Sequence, residues 1–207
     1  MPELRRAVKR LIIAFMLLTA AAVGCGKKDE PVLLTMEKLT EMNGGIEPEI
    51  SYHKDGSIRE ISGKTARNPV TDERSAYDAI YGVSGILGIS DPENELVFDR
   101  VSEGRVSKKY VFAQYYKGIP VLGGSVSVMA ENGTGYAENI FSSYVNVGNV
   151  ITEPAVTKEE AVRTVAESSG NAVEDDPELV IKEDRLFWSV TMLTEPPEQV
   201  LVNAAVN

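Results

Sequence analysis

The sequence predicts an α+β protein made of two consecutive modules, each an antiparallel sheet packed on one main helix. Three observations predict it. Two stretches, residues 72–88 and 157–170, place apolar residues at helical spacing behind a capping residue. Alternating apolar runs follow each, separated by turns rich in Gly, Asn and Asp. The pattern resets near Pro154, so the order of helix and then strands occurs twice. A chain of 207 residues has room for two such small modules.

Taken in order, the chain opens with "MPELRRAVKRLIIAFMLLTAAAVGCGKK". A basic head runs to Arg10, an apolar run covers Leu11 to Val23, and small residues lead to Cys25. This is the pattern of a signal peptide over 1–24, and the apolar run of 13 residues falls short of the ~20 that a permanent span needs. Ala22-Val23-Gly24-Cys25 resembles a bacterial lipobox, with Ala22 where Leu is usual. The expectation is therefore export and lipid anchoring through Cys25, on the cell surface or the periplasmic side of a membrane. A secreted protein cut nearby and an uncleaved anchor stay open. Cys25 is the sole cysteine, which excludes an internal disulfide.

Residues 25–45 read as the lipidated Cys and a tether, with Val32 to Met42 a helix or a loose arm ended by Gly44-Gly45. The first module, residues 46–150, opens with a hairpin: Ile50 and Tyr52 lead into Asp55-Gly56, and Ile58 and Ile61 lead out. In residues 72–88, Ala76, Ile80, Val83 and Leu87 form a helical stripe capped by Thr71 or Asp72, and Asp91-Pro92 closes the element. Strands follow over 95–102, 107–116, 121–130 and 135–145. In the second of these, Tyr110, Phe112, Gln114 and Tyr116 alternate with Val111, Ala113 and Tyr115. In the third, Leu122, Val126 and Val128 share a face with Gly124. Asn132-Gly133 reads as a second hairpin turn.

The second module, residues 151–207, begins with Thr157-Lys158-Glu159-Glu160, a capping box. Ala161, Val162, Val165 and Ala166 give the helix its buried stripe up to Gly170, and strands follow over 178–183, 185–194 and 198–204.

Net charge is −10, and the first 24 residues carry +3 (Arg5, Arg6, Lys9 and Arg10 against Glu3), which leaves −13 on the remainder. So acidic a body repels phosphate backbones, and no nucleic-acid partner is expected. A single histidine, His53, excludes the paired-His zinc site of H-E-x-x-H peptidases. It sits beside a turn and reads as solvent-facing. No G-x-S-x-G elbow supports a serine nucleophile, and Gly123-Gly124 lacks the frame of a phosphate loop. Glu174-Asp175-Asp176 lacks the ligand alternation of an EF-hand and gives at most a faint calcium signal. Trp188, beside Phe187, reads as a core residue. No catalytic residue, metal site or cofactor is expected, and the chain reads as a non-enzyme.

The stretch "YVFAQYYKGIPVLGGSVSV", Tyr110 to Val128, resembles the signature of the fungalysin/thermolysin propeptide (FTP) domain, with support from "SIREISGK" and "GILGI" upstream. "TKEEAVRTVAES" and the strands after it resemble a PepSY domain, the module that follows FTP in precursors of thermolysin-like zinc peptidases. The resemblance implies a pro-region-like lipoprotein that binds, inhibits or assists the folding of a thermolysin-like metallopeptidase. Residues 1–207 differ from that pattern in three ways: they include no peptidase domain, they include no Thr-Gly-Glu-like turn and linker, and they carry a lipobox. A pro-region-only precursor of such a peptidase and an envelope binding lipoprotein unrelated to proteolysis are the alternatives. On this reading Tyr110, Phe112, Gln114 and Tyr116 serve the fold, and Gly118, Pro120, Gly123 and Gly124 set the corner between strands. The expected partner contacts are Tyr115, Lys117 and the terminal strand of Gln199, Val200, Leu201, Val202 and Asn203.

Overall fold

The computed structural model describes residues 32–174 and 176–205. It is α+β, with helices α1 (Met36–Met42), α2 (Glu73–Leu87), α3 (Pro92–Glu95) and α4 (Lys158–Ser169). The strands are β1 (Glu49–Tyr52), β2 (Ile58–Ser62), β3 (Leu96–Glu103), β4 (Ser107–Tyr116), β5 (Ile119–Glu131), β6 (Ala137–Ser142), β7 (Glu178–Lys182), β8 (Arg185–Met192) and β9 (Glu198–Asn203). Cys25 and the leader lie outside the described residues. Among the described residues no helix is long and apolar enough to cross a membrane.

Local chemistry sets the helix ends. Asp72, of the two candidate caps, accepts the Ser75 N–H at 2.8 Å, and Gly88 closes α2 in the left-handed region at φ 76°. Thr157 and Glu160 form the reciprocal box at the start of α4, and Gly170 closes it at φ 69°. Thr35 caps α1, so the arm before Gly44 is helical. Pro92 does not merely close α2. It opens the single turn α3, where its missing N–H costs nothing, behind the Asp91 cap.

Strand order is β1-β2-β6-β5-β7-β8-β9, with β4 on β5 and β3 on β4. All pairings are antiparallel except one, a parallel bridge between Val121 of β5 and Ile181 of β7. The strand β5 thus belongs to two sheets. Its later part lies between β4 and β6, with Val126, Val128 and Ala130 buried beneath the α2 residues Ala76, Ile80 and Val83. Its start sends Val121 into a second cluster with Val150, Ile181, Leu186 and Ala204. A third cluster joins Ala161 and Val165 of α4 to Val190 and Met192 of β8.

The change of sheet explains one departure from the sequence pattern. Leu122 was expected to share a face with Val126 and Val128, yet it is 44% exposed while those two and Val121 are buried. Gly123, at φ 84°, takes a conformation that side-chain-bearing residues avoid, and it interrupts the simple alternation of the strand. The Asn132-Gly133 turn is likewise wider than a two-residue hairpin. The β5–β6 connection spans residues 132–136, and the Asn132 amide donates to the Gly104 and Arg105 carbonyls.

Candidate functional site

The signature stretch is a junction between sheets. The β4–β5 ladder runs to Ala113 opposite Ser125, then resumes at Tyr115 opposite Pro120. Between them a single β4 residue, Gln114, faces the excursion of residues 121–124. Gln114 is buried and replaces the lost ladder with its own amide: Nε2 donates to the Val145 carbonyl at 2.6 Å, and Oε1 accepts the Val145 N–H at 2.8 Å. A Cβ on Gly124 would stand 2.4 Å from that Oε1 and 2.9 Å from the Gln114 Cβ. Glycine at 124 is therefore what lets the amide lie flat in the gap.

Tyr110 and Phe112 are buried under α2, and Phe112 meets Phe98 edge-on at 5.5 Å. Tyr116 packs with Ile119 against the second cluster. Lys117 (φ 49°) and Gly118 (φ 82°) form the two-residue turn between paired Tyr116 and Ile119, the geometry of a type I′ hairpin. The Lys117 ammonium lies 4.9 Å from the Tyr116 ring centre.

Strand alternation sorts the remaining candidates. Ile181, Leu186, Trp188, Val190 and Met192 face the second and third clusters, and Val200 and Val202 pack with them beside α4. The opposite face carries Tyr115, Pro120 and Leu122, then Val180, then Phe187 and Ser189, and at the far strand Gln199, Leu201 and Asn203. None of these residues joins the three clusters. Val180 is buried, Tyr115, Phe187 and Leu201 are half-buried, and Gln199 and Asn203 are exposed. Burial pushes the Tyr115 phenol up, helped by the charges of Glu178 and Asp99, so it stays protonated and able to donate. Of the expected contact residues, Gln199, Leu201 and Asn203 share this face of β9, and Tyr115 lies on the same side but on β4, separated from β9 by β5, β7 and β8. The fold turns Val200 and Val202 to the α4 side and leaves Lys117 at the hairpin tip. Leu122 and Phe187 belong to this face without having been singled out from the sequence, because only the parallel bridge sets β5 and β7 side by side.

Three other features singled out in the sequence fall elsewhere. His53 was expected to face solvent. It is half-buried, and its Nε2 lies 2.8 Å from the Ser142 carbonyl, which fixes the proton on that nitrogen and ties the β1–β2 turn to the end of β6. In the acidic loop, Asp176 accepts from the Lys158 ammonium at 2.6 Å. Among the described residues no group of three or more His, Cys, Asp or Glu is placed to hold a metal ion. Trp188 donates its indole N–H to the Val156 carbonyl at 2.8 Å and packs in the core.

No protein-family model matches the chain, and no curated protein matches it. Among solved structures, the Bacillus megaterium YpeB C-terminal domain is similar at 15% identity, over 77% of this chain and 72% of that one, with a TM-score of 0.41.

Proposed function

We propose that this chain is a non-catalytic binding protein, exported and held on a membrane through lipid at Cys25, that grips another protein with the uncovered face of β7, β8 and β9. The supporting observation is the composition of that face. Half-buried Phe187 and Leu201 stand next to the amides of Gln199 and Asn203 on β8 and β9, and half-buried Tyr115 and exposed Leu122 lie on the same side of β4 and β5, which is the mixture of aromatic, aliphatic and neutral polar groups that protein interfaces favour. The resemblance of Tyr110–Val128 to the FTP signature, and of the part after Pro154 to PepSY, suggests a thermolysin-like metallopeptidase as the partner. The division into an FTP-like part up to residue 150 and a PepSY-like part after it belongs to the same reading. A protein that binds the folded peptidase more tightly than the unfolded chain favours its folding, and one seated over the cleft excludes substrate.

The test adds residues 26–207 to a secreted peptidase of this class and follows proteolysis, refolding yield and co-migration. The expected result is a change in activity or yield that Leu201→Asp and Tyr115→Ala each weaken by about tenfold, as loss of a central apolar anchor does. Activity, yield and migration all unchanged at micromolar concentration would reject the peptidase as partner.

A further inference from the structure

We propose that β9 pairs with β9 of a second copy, giving a two-fold dimer whose β7–β8–β9 sheets run on into each other. Every open sheet invites such pairing along its edges, and natural chains blunt those edges with bulges and charge. The edge strands β1 and β3 are both defended. A bulge interrupts β1 between Ser51 and Tyr52. Another interrupts β3 between Phe98 and Arg100, in a strand that also carries Asp99, Arg100 and Glu103. The third edge is not. From Phe187–Asn203 to Met192–Glu198 the β8–β9 register is unbroken, and Gln199 to Asn203 holds no charge and no proline.

The phase of the ladder shows which groups are open. Ala204 N–H donates to the Leu186 carbonyl at 2.9 Å, so even-numbered residues of β9 turn their backbone to β8. The N–H and C=O groups of Gln199, Leu201 and Asn203 then point away from the sheet. Among the described residues, none of the turn and loop hydrogen bonds reaches them.

A second copy is the occupant because the strand is a palindrome in side-chain type. Gln199-Val200-Leu201-Val202-Asn203 reads amide, valine, leucine, valine, amide in both directions. An isologous contact demands that residue i meet j while j meets i. An antiparallel two-fold centred on Leu201 meets that demand. Leu201 faces its own copy, Gln199 faces Asn203, and Val200 faces Val202. All three outward-pointing residues fall in hydrogen-bonded pairs. Glu198 falls opposite Ala204, so no like charges meet. Anchoring two copies on one membrane raises their effective concentration.

Sedimentation of the full-length chain in detergent, from about 1 to about 500 μM, tests this over the range expected of a small interface. Three forms are compared at low salt. The unaltered chain should pass from monomer to dimer. Gln199→Lys with Asn203→Lys sets like charges opposite in both symmetric pairs and should weaken the dimer about tenfold. Gln199→Lys with Asn203→Glu sets opposite charges together in this register, and should tighten it by a similar factor that fades in high salt. Both positions are exposed, so neither change disturbs a core. The tightening reports the register itself, which neither misfolding nor two anchors sharing one micelle imitates. A chain that stays monomeric throughout overturns the proposal, as does a dimer whose strength the two charge pairs leave unchanged. Either outcome leaves the peptidase-binding reading standing.

Discussion

Gly124→Ala isolates the junction from every other feature of the fold. The backbone at 124 is not in the left-handed region, so the substitution strains no dihedral and acts only through the new methyl group. That methyl would stand 2.4 Å from Gln114 Oε1, and the amide has nowhere to go without giving up both bonds to Val145. Two hydrogen bonds at ~1 kcal/mol each, with ~1–3 kcal/mol for overpacking a buried site, put the loss at about 3–5 kcal/mol. Urea unfolding followed by the fluorescence of Trp188, the single tryptophan, measures it. In a Gln114→Ala background the bonds are already gone, and the same substitution should cost at least about 1 kcal/mol less. A loss under ~0.5 kcal/mol, or strict additivity of the two changes, refutes the account of Gln114 as a surrogate strand. Gly123→Ala is the control: its Cβ meets nothing within 4 Å, so only the φ of 84° penalises it, by about 1–2 kcal/mol.

Lys117 holds φ 49° in a turn that prefers Asn, so Lys117→Asn should raise stability by about 0.5 kcal/mol in the same unfolding assay. Thr157→Ala removes the α4 cap and should cost about 1 kcal/mol. Hydrogen bonds from the Thr157 N–H and hydroxyl hold the Glu160 carboxyl below its ordinary value, so its contribution is present above the unfolded pKa and fades as pH falls through the folded one. Unfolding followed down to strongly acid pH should show a shallower decline in Thr157→Ala than in the unaltered chain. Tyr144 behaves in the opposite sense. Burial, then its hydrogen bond to Glu95 at 2.7 Å, raises the phenol, so its contribution is intact below pH ~10 and is lost above it. Thermal melts across the alkaline range should fall less steeply for Tyr144→Phe.

The parts legible in the sequence were those written in local chemistry. Ala76, Ile80, Val83 and Leu87 marked α2, because a 3.6-residue stripe has few alternatives, and Thr157 with Glu160 marked the start of α4. The parts that were not legible depend on partners distant in the chain. Nothing within residues 119–131 says that Val121 will bridge to Ile181, some 60 residues on. The exposure of Leu122 follows from that bridge and from the backbone at Gly123. Gln114 was expected to serve the fold with Tyr110, Phe112 and Tyr116, but how it does so needs Val145 in place. His53 looked idle because its acceptor, Ser142, is 89 residues away. The uncovered face was half legible: Tyr115, Leu201 and their neighbours could be named, but not that Val200 and Val202 turn under α4.

The shared strand has a consequence for how the protein comes apart. With its first residues set among Ile181 and Leu186 and its last beneath α2, β5 cannot leave either neighbourhood without pulling on the other. Heat or a chaotrope acting on one end should be felt at both, so a calorimetric scan is expected to show one transition and not two.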